Sequence, residues 1–490
     1  MSWSDVYPWT PPERTRLVVR QVYEQVRGAI GVGALAAGAR LPSSRDLADR
    51  LGVSRASVVS AYEQLLAEGY AEGRRGAGTF VAADLSGLLD APAAPATPAA
   101  PRPALPERAL EGPLDPPITT VPGDAPFNTG RTLLDVRAAD AWARSTRRAL
   151  RALGPEHFGY ADPRGDPALR SAIADYLRAA RGVRCEAEQV MVTSGAQHAV
   201  DIVARVLASP GAPVWVEDPG YPSTVHALAA AGAKLCPIPV DDEGLVVAEG
   251  VAAAPNARAA FVTPSHQYPL GVTLSMARRL ELLAWSRTAG AWIVEDDYCS
   301  EFRYAGPPLA SLQGLDGGER VIYVGTFNKA LFPGLRLGYL VAPKALAPAL
   351  AQARRLMDRQ PSTLTQAIVL DFLREGHFAA HIRRRRLAYH AQRDALADAI
   401  ARHAGDVLSP VAPDQGMHLI AYLADGRSDS AAEAAAAEAG VIARAISPLY
   451  RKAPPRQGLL LGFSGFAPGQ MARPAARLGE ALRGRSAGRD

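Results

Sequence analysis

Lysine is among the side chains least often buried, so Lys329, set among Leu, Phe and Gly in the run VIYVGTFNKALFPGLRLGYL at 321–340, needs a reason. Either its stem lies on apolar surface while the ammonium reaches water, or its amine is used. The chemical use of a desolvated amine is condensation with a carbonyl to form a Schiff base. Thr326 before it and Arg336 after it add a hydroxyl and a guanidinium, groups suited to a phosphate dianion. Spacing alone leaves both readings open, and a surface lysine is the commoner one.

Other residues of the same chemical kind follow stretches of strand type. Ser194-Gly195-Ala196-Gln197, after QVMVT, opens a helix and presents N–H groups to a phosphate, although small residues there also serve tight packing. Tyr221, in PGYP after WVED, can lie flat on an aromatic ring or sit in a core. His266, in SHQYPLG after FVTP, can face a ligand or be a hydrogen-bonded structural histidine. Asp296-Asp297-Tyr298, after AWIVE, offers a carboxylate for a protonated pyridine nitrogen and a phenol for a ring oxygen, or else a loop ion pair. In chain order these are a phosphate cup, a stacking ring, a nitrogen partner, a Schiff-base amine and a phosphate arginine. Together they supply every part of a pyridoxal phosphate site.

Such groups need rigid elements behind them. From Phe127 onward strand segments (189–193, 213–217, 259–263, 292–295, 321–324 and 338–341) alternate with helical ones, which predicts an α/β fold with a mainly parallel sheet. Ligands on such sheets collect where strands end, and every candidate above stands at a strand end.

The first eighty residues differ in kind. Residues 14–33 place Leu17, Val18, Val22, Tyr23, Val26 and Ile30 at helical spacing. In LPSSRDLADRLGVSRASVVSAYEQLLAEGY, Pro42 and Ser43/Ser44 start a helix, Gly52 ends it and Ser54 caps the next. Leu47, Leu51, Val53, Val58, Ala61 and Leu65 make the core of this helix-turn-helix, leaving Arg45, Arg55, Ser57 and Ser60 outward. GRRGAGTFVA at 73–82 reads as a β-hairpin wing, with Arg74 and Arg75 against a phosphate backbone and Gly76 and Gly78 allowing close approach. Residues 84–126 hold eleven of the 40 prolines and no apolar period, which makes them an extended tether. Its length would let the reading head of one chain sit beside another chain's main domain. The domains expected are thus 12–83, a linker at 84–126, a body at 127–480 and a polar tail at 481–490, and within the body the run Arg383–Arg386 reads as a solvated helix face.

The net charge of +5 permits a nucleic-acid partner without demonstrating one. Three cysteines, Cys185, Cys236 and Cys299, stand far apart and suit a reducing cytoplasm. No apolar run reaches the length of a membrane span, so a soluble, cytoplasmic protein is expected.

Two resemblances follow from these motifs. LPSSRDLADRLGVSRASV and the wing resemble the winged helix-turn-helix of GntR-type regulators, which implies operator DNA as partner and Arg45, Ser54, Arg55, Ser57 and Gly76 to Thr79 as its contacts. The body resembles a fold-type I aminotransferase domain, which implies a small α/β domain beside the mainly parallel sheet. GYADPRGDPALRSAIADYL, VTSGAQHAV, EDPGYP, TPSHQYPLG, VEDDYCSEFRY and VGTFNKALFPGLRLGYL together resemble the MocR/PdxR subfamily of GntR regulators.

That resemblance implies Lys329 as the Schiff-base lysine, Asp296 as the pyridine-nitrogen partner, Tyr298 as the 3′-oxygen partner and Tyr221 as the stacking ring. Ser194, Gly195, Ala196, Thr326 and Arg336 become phosphate contacts, Tyr160 reaches the phosphate in a partner subunit, and His266 is counted with the cofactor-facing residues. A head-to-tail homodimer sensing pyridoxal phosphate or an amino compound is the function implied, and an active aminotransferase carrying a DNA-binding domain is the alternative. Two departures bear on that choice. Tyr268 stands where aminotransferases carry Asn before Pro-x-Gly, and the late strand GLLLGF at 458–463 lacks the arginine that holds a substrate carboxylate. Arg444, Arg451 and Arg456 lie near that strand in sequence, with no assignment among them.

Overall fold

The computed structural model describes residues 8–12, 18–74, 76–83, 125–132, 134–306, 309–424 and 426–484. Its contacts divide the chain into two compact units, Met1–Ala109 and Leu110–Asp490.

The first unit holds α1 (Val18–Gly31), α2 (Ser44–Leu51) and α3 (Arg55–Ala67), followed by β1 (Ala71–Arg74) and β2 (Gly78–Val81). Local chemistry sets the helix ends. The Ser43 side chain accepts from Asp46 N to start α2, Gly52 at φ 63° ends it, and the Ser54 side chain accepts from Ser57 N to start α3. Val22, Val26, Ile30, Leu47, Leu51, Val58, Ala61 and Leu65 form the core, whereas Val53 is only half-buried. β1 and β2 pair antiparallel with Arg74 opposite Gly78, and Gly76 (φ 76°) and Gly78 (φ 110°) take the turn conformations open to glycine. Leu17, Arg75 and residues 84–124 lie outside the described residues.

The second unit is built on eight strands: β3 (Val190–Thr193), β4 (Pro213–Asp218), β5 (Lys234–Asp241), β6 (Gly244–Leu245), β7 (Ala259–Val262), β8 (Trp292–Asp297), β9 (Val321–Thr326) and β10 (Gly338–Val341). Their order is β3-β10-β9-β8-β7-β4-β5-β6. The five from β9 to β5 run parallel, while β10 is antiparallel to both neighbours. Apart from β5 and the short β6, these strands read as continuous apolar runs because both faces are covered. Val190, Val192, Tyr323, Tyr339 and Val341 face one apolar cluster, and Met191, Ile322, Val324 and Leu340 face another. The parallel arrangement brings the carboxyl ends of β4, β7, β8 and β9 to one edge.

A second, antiparallel sheet comprises β11 (Leu408–Val411), β12 (His418–Leu423), β13 (Arg444–Ala445) and β14 (Gly458–Gly462), in the order β11-β12-β14-β13. The two sheets are linked at Asp218, the last residue of β4, whose carboxylate accepts the N–H groups of Arg451, Lys452 and Ala453, each at 2.7 Å.

Two sequence expectations need correction. The run Arg383–Arg386 is more than a solvated face: Arg384 and Arg385 bond Asp135, and Arg386 donates to Glu301 O. The polar tail expected at 481–490 is helical as far as the description goes, since Ala472–Gly484 is one helix with Leu478 and Leu482 buried on the helix His377–Ala404. Among the described residues no helix is long and apolar enough to cross a membrane.

Candidate cofactor site

Strand β9 leads directly into the helical turn Phe327–Ala330, which Thr326 caps by accepting from Asn328 N at 3.1 Å. Asn328 Oδ1 in turn accepts from Leu337 N at 3.0 Å, closing the loop that carries Lys329. Burial pushes the Lys329 ammonium pKa down; Cys299 opposes the shift, and the charge of Arg444 adds to it. A depressed ammonium is one that yields its proton and leaves a nucleophilic amine.

On the neighbouring strand β8, two adjacent carboxylates have opposite surroundings. Asp297 Oδ2 lies 2.8 Å from the buried Arg181 guanidinium and accepts from Tyr323 Oη at 2.6 Å and Ser300 Oγ at 2.8 Å. Asp296 turns to the other face and lines a small cavity with Glu217, Tyr221 and Thr263. Its Oδ1 is buried without a hydrogen-bond partner, and so is the Tyr298 hydroxyl. Burial, with the nearby Asp297 and Glu217 charges, pushes the Asp296 carboxyl up to about 7. An N–H cation on the face of that cavity is the group that would reverse this shift.

The wall opposite is braced from below. Glu217 accepts from Thr263 N at 3.0 Å and Thr263 Oγ1 at 2.6 Å, and Gln267 Nε2 donates to Pro219 O at 2.8 Å. Thus the loop after β7 is tied to the end of β4. The tie sets Tyr268 edge-on to Tyr221, with ring centroids 5.2 Å apart at 82°. The residue standing where an aminotransferase has Asn therefore supports the ring that follows β4. His266 is 1 % exposed, and burial pushes its imidazole down to about 4, so it is neutral at physiological pH. Its ring lies 4.9 Å from that of His418 and 6.1 Å from that of Tyr298.

At the third corner the helix Ala196–Leu207 starts behind Gly195, whose φ of 104° and ψ of 172° suit only glycine. A Cβ at Gly195 would fall 2.8 Å from Asn328 Nδ2 and 4.0 Å from Arg336 Nη1, so the turn of Ser194-Gly195-Ala196 faces both. Arg336 is exposed and Thr326 buried beside it. Helix N–H groups, an amide and a guanidinium thus converge on one spot, the make-up of a phosphate cradle. Asn328, and His198, which accepts from Ser194 N at 3.2 Å, were not singled out in the sequence. Their only sequence signal is position: one precedes the lysine and the other stands one turn into the helix. Tyr160 is not brought to this site; it is 80 % exposed with Arg359 4.0 Å over its ring.

In the first unit Arg45, Ser54 and Arg55 are exposed and Ser57 is half-buried. Arg55 Nε donates to Ser44 Oγ at 3.2 Å, so α3 is tied to the start of α2. Ser54 and Ser57 share a 2.8 Å hydroxyl contact as part of the cap. Arg74 is paired with Glu72 at 2.7 Å and lies over the Phe80 ring, while Gly76, Gly78 and Thr79 form the hairpin end.

The family model of aminotransferase class I and II matches residues 125–457, and that of the gntR family of bacterial regulatory proteins matches residues 18–81. The chain is 41 % identical to the probable rhizopine catabolism regulatory protein MocR of Rhizobium meliloti over 452 residues, 92 % of this chain and 91 % of that one. It is 33 % identical to the pyridoxine biosynthesis transcriptional regulator PdxR of Corynebacterium glutamicum, covering 92 % and 93 %. Among solved structures it is similar to the Pyrococcus horikoshii kynurenine aminotransferase in complex with PMP, with a TM-score of 0.71 and 25 % identity over 78 % of this chain and 97 % of that one. These likenesses imply, at the level of the family, a pyridoxal phosphate cofactor in the body and DNA at the winged helix. The chain belongs to the MocR-type members of the GntR family, transcriptional regulators that carry an aminotransferase class I and II body.

Proposed function

We propose that this regulator holds pyridoxal phosphate at Lys329, responds to that cofactor or to an amino compound reaching it, and answers through its affinity for operator DNA. The observation that carries the reading is a pair of buried polar atoms lacking partners, Asp296 Oδ1 and Tyr298 Oη, at the carboxyl end of β8, beside the end of β9 that leads into Lys329. Both orphans match one ligand, a ring with a protonated nitrogen and an adjacent oxygen. Bound there, pyridoxal phosphate supplies a carbonyl that exchanges primary amines.

The rest is the work of the chain's own residues. Asp296 would accept from the ring N–H and ionise as it does so. Tyr298 would donate to the ring oxygen. Tyr221, braced by Tyr268, would cover one face, with the neutral His266 beneath Tyr298. The Ser194 hydroxyl and the N–H groups of Gly195 and Ala196, with Thr326, Asn328 and Arg336, would hold the phosphate. Lys329, its proton loosened by burial, would hold the carbonyl and carry protons to and from the carbon beside the amine. The exposed Tyr160 remains available to a partner subunit's phosphate in a head-to-tail homodimer. Arg45, Arg55 and the wing would contact operator DNA, and a reducing cytoplasm suits the three free cysteines. Amine and operator then affect one another by equal factors, through the two arrangements of the dimer they favour unequally.

Repeated transamination is the alternative, and it differs from the sensor reading in leaving operator affinity indifferent to the amine. The test is the visible absorbance of the full chain with pyridoxal phosphate, wild type against Lys329→Ala, alongside titrations of operator DNA selected from random sequence. A band that depends on Lys329 and an operator affinity that shifts on adding cofactor or amine are expected. Failure of any Lys329-dependent band refutes the reading; sustained turnover with DNA binding indifferent to every amine favours the alternative.

A further inference from the structure

The row of β14 that lacks an arginine has one on the strand beside it. Leu460 stands directly opposite Ile420 of β12 and directly opposite Arg444 of β13. Residues directly opposite on antiparallel strands project to the same face of the sheet. His418, Ile420, Leu460 and Arg444 therefore leave one face, while Leu459 and Leu461 point the other way into the main core.

The face carrying Arg444 is the one turned to the cofactor site. The His418 ring lies 4.9 Å from that of His266 and 5.8 Å from that of Tyr268. Ile420, Leu460 and Ile446 form an apolar cluster against which Tyr268 and Leu270 pack. Arg444 is half-buried, and its charge is felt at Lys329. Its backbone is held from outside the site: the Asp429 carboxylate accepts from Ile446 N, Ser447 N and Gly458 N at 3.0, 2.8 and 3.2 Å, and Glu433 accepts from Ala445 N at 3.0 Å. The other two arginines near this sheet are placed differently. Arg456 lies over the Tyr422 ring at 3.8 Å, and Arg451 is exposed with its N–H on Asp218.

We propose that Arg444 is the anion-holding residue of the effector site, taking the carboxylate of an amino acid whose amino group is directed to Lys329. The guanidinium sits one strand over from where β14 would offer it, on the same cross-strand row. The effector class is thereby narrowed from primary amines to amines that also bear a carboxylate, which a planar guanidinium grips with two parallel hydrogen bonds. This inference rests on the reading that amines reach the cofactor at Lys329, and the two fail separately.

The test compares the full chain with Arg444→Gln and Arg444→Lys. Without amine, bound pyridoxal phosphate reports on Lys329 and is expected to give a band in all three, with only its pH dependence moved in Arg444→Gln, where the charge acting on Lys329 is gone; its absence from wild type would refute the earlier reading instead. Titration with alanine and β-alanine, against alaninamide and β-alaninamide, reports on Arg444. Arg444→Gln is expected to raise the half-maximal concentration of the two acids about ten- to a hundredfold and to leave the amides within about twofold, with Arg444→Lys between. Calorimetric binding of propionate, which has no amine, is expected for wild type and lost in Arg444→Gln, a readout independent of the cofactor reaction. Equal weakening of acids and amides, no weakening in Arg444→Gln, or a wild type that binds no carboxylate would overturn the assignment.

Discussion

Asp296 and Asp297 are neighbours on one strand, yet their replacement by Asn is expected to move stability in opposite directions. Asp297→Asn removes the charge facing Arg181, which is 5 % exposed, and breaking a buried pair from one side costs about 3–5 kcal/mol. Asp296 has no such partner. In protein stripped of pyridoxal phosphate, burial lifts its carboxyl from the ordinary 3.8 to about 7. Between those values the folded state keeps a proton that the unfolded chain releases, so wild-type stability falls as pH rises through that window. At about 1.4 kcal/mol for each tenfold in proton affinity, the loss reaches roughly 4 kcal/mol by pH 7 and above. Asn cannot ionise and escapes it. Asp296→Asn is therefore expected to be more stable than wild type by a few kcal/mol at pH 8 and by about 1 kcal/mol or less near pH 4. Added pyridoxal phosphate should stabilise wild type and do little for the variant. Urea midpoints of the stripped proteins at the two pH values, followed by tryptophan fluorescence, measure this. If Asp296→Asn proved as destabilising as Asp297→Asn at pH 8, the division between the two carboxylates would be wrong.

Gly195→Ala forces a Cβ into a glycine-only conformation, at about 1–3 kcal/mol, and sets it 2.8 Å from Asn328 Nδ2. Pyridoxal phosphate affinity, followed by absorbance titration, is expected to drop about ten- to a hundredfold, and an unchanged affinity would remove Gly195 from the phosphate cradle. Asp429→Ala strips the acceptor from three backbone N–H groups, at about 1–3 kcal/mol each where they stay buried, so the thermal midpoint of the body should fall by several degrees. Arg45→Ala should weaken operator binding across sequences alike and reduce the slope of log affinity against log salt by about 1; a changed base preference with an unchanged slope would make Arg45 a base reader instead.

Six of the eight strands of the large sheet were legible because each is buried on both faces and so reads as an unbroken apolar run; β5, half-buried and interrupted by Pro237 and Pro239, and the two-residue β6 were not. VMV, VWV, AFV, WIV and VIYV each lie inside an observed strand. The helix ends of the first unit were legible too, since Ser43, Gly52 and Ser54 act on residues within one turn. Features set by distant partners were not. Nothing near Asp297 in the chain announces Arg181, 116 residues away, so DDY could not be divided into one paired and one open carboxylate. The run at 383–386 looked solvated because Asp135, about 250 residues earlier, is invisible to local pattern. Of the small sheet only the late strand at 458–463 was read, for a related reason: β13 is two residues long, and its register alone places Arg444 beside Leu460.

The three 2.7 Å bonds at Asp218 act as a mechanical joint. They couple the end of β4, three residues before Tyr221, to the segment that leads into β14. Hydrogen bonds to a charged group contribute about 1.5–3 kcal/mol each, so sliding the small sheet straight away from the large one would cost several kcal/mol at this place alone. A ring stacked on Tyr221 therefore rests on a residue whose strand end is pinned to the approach to β14, so the stacking face and the small sheet share one anchor.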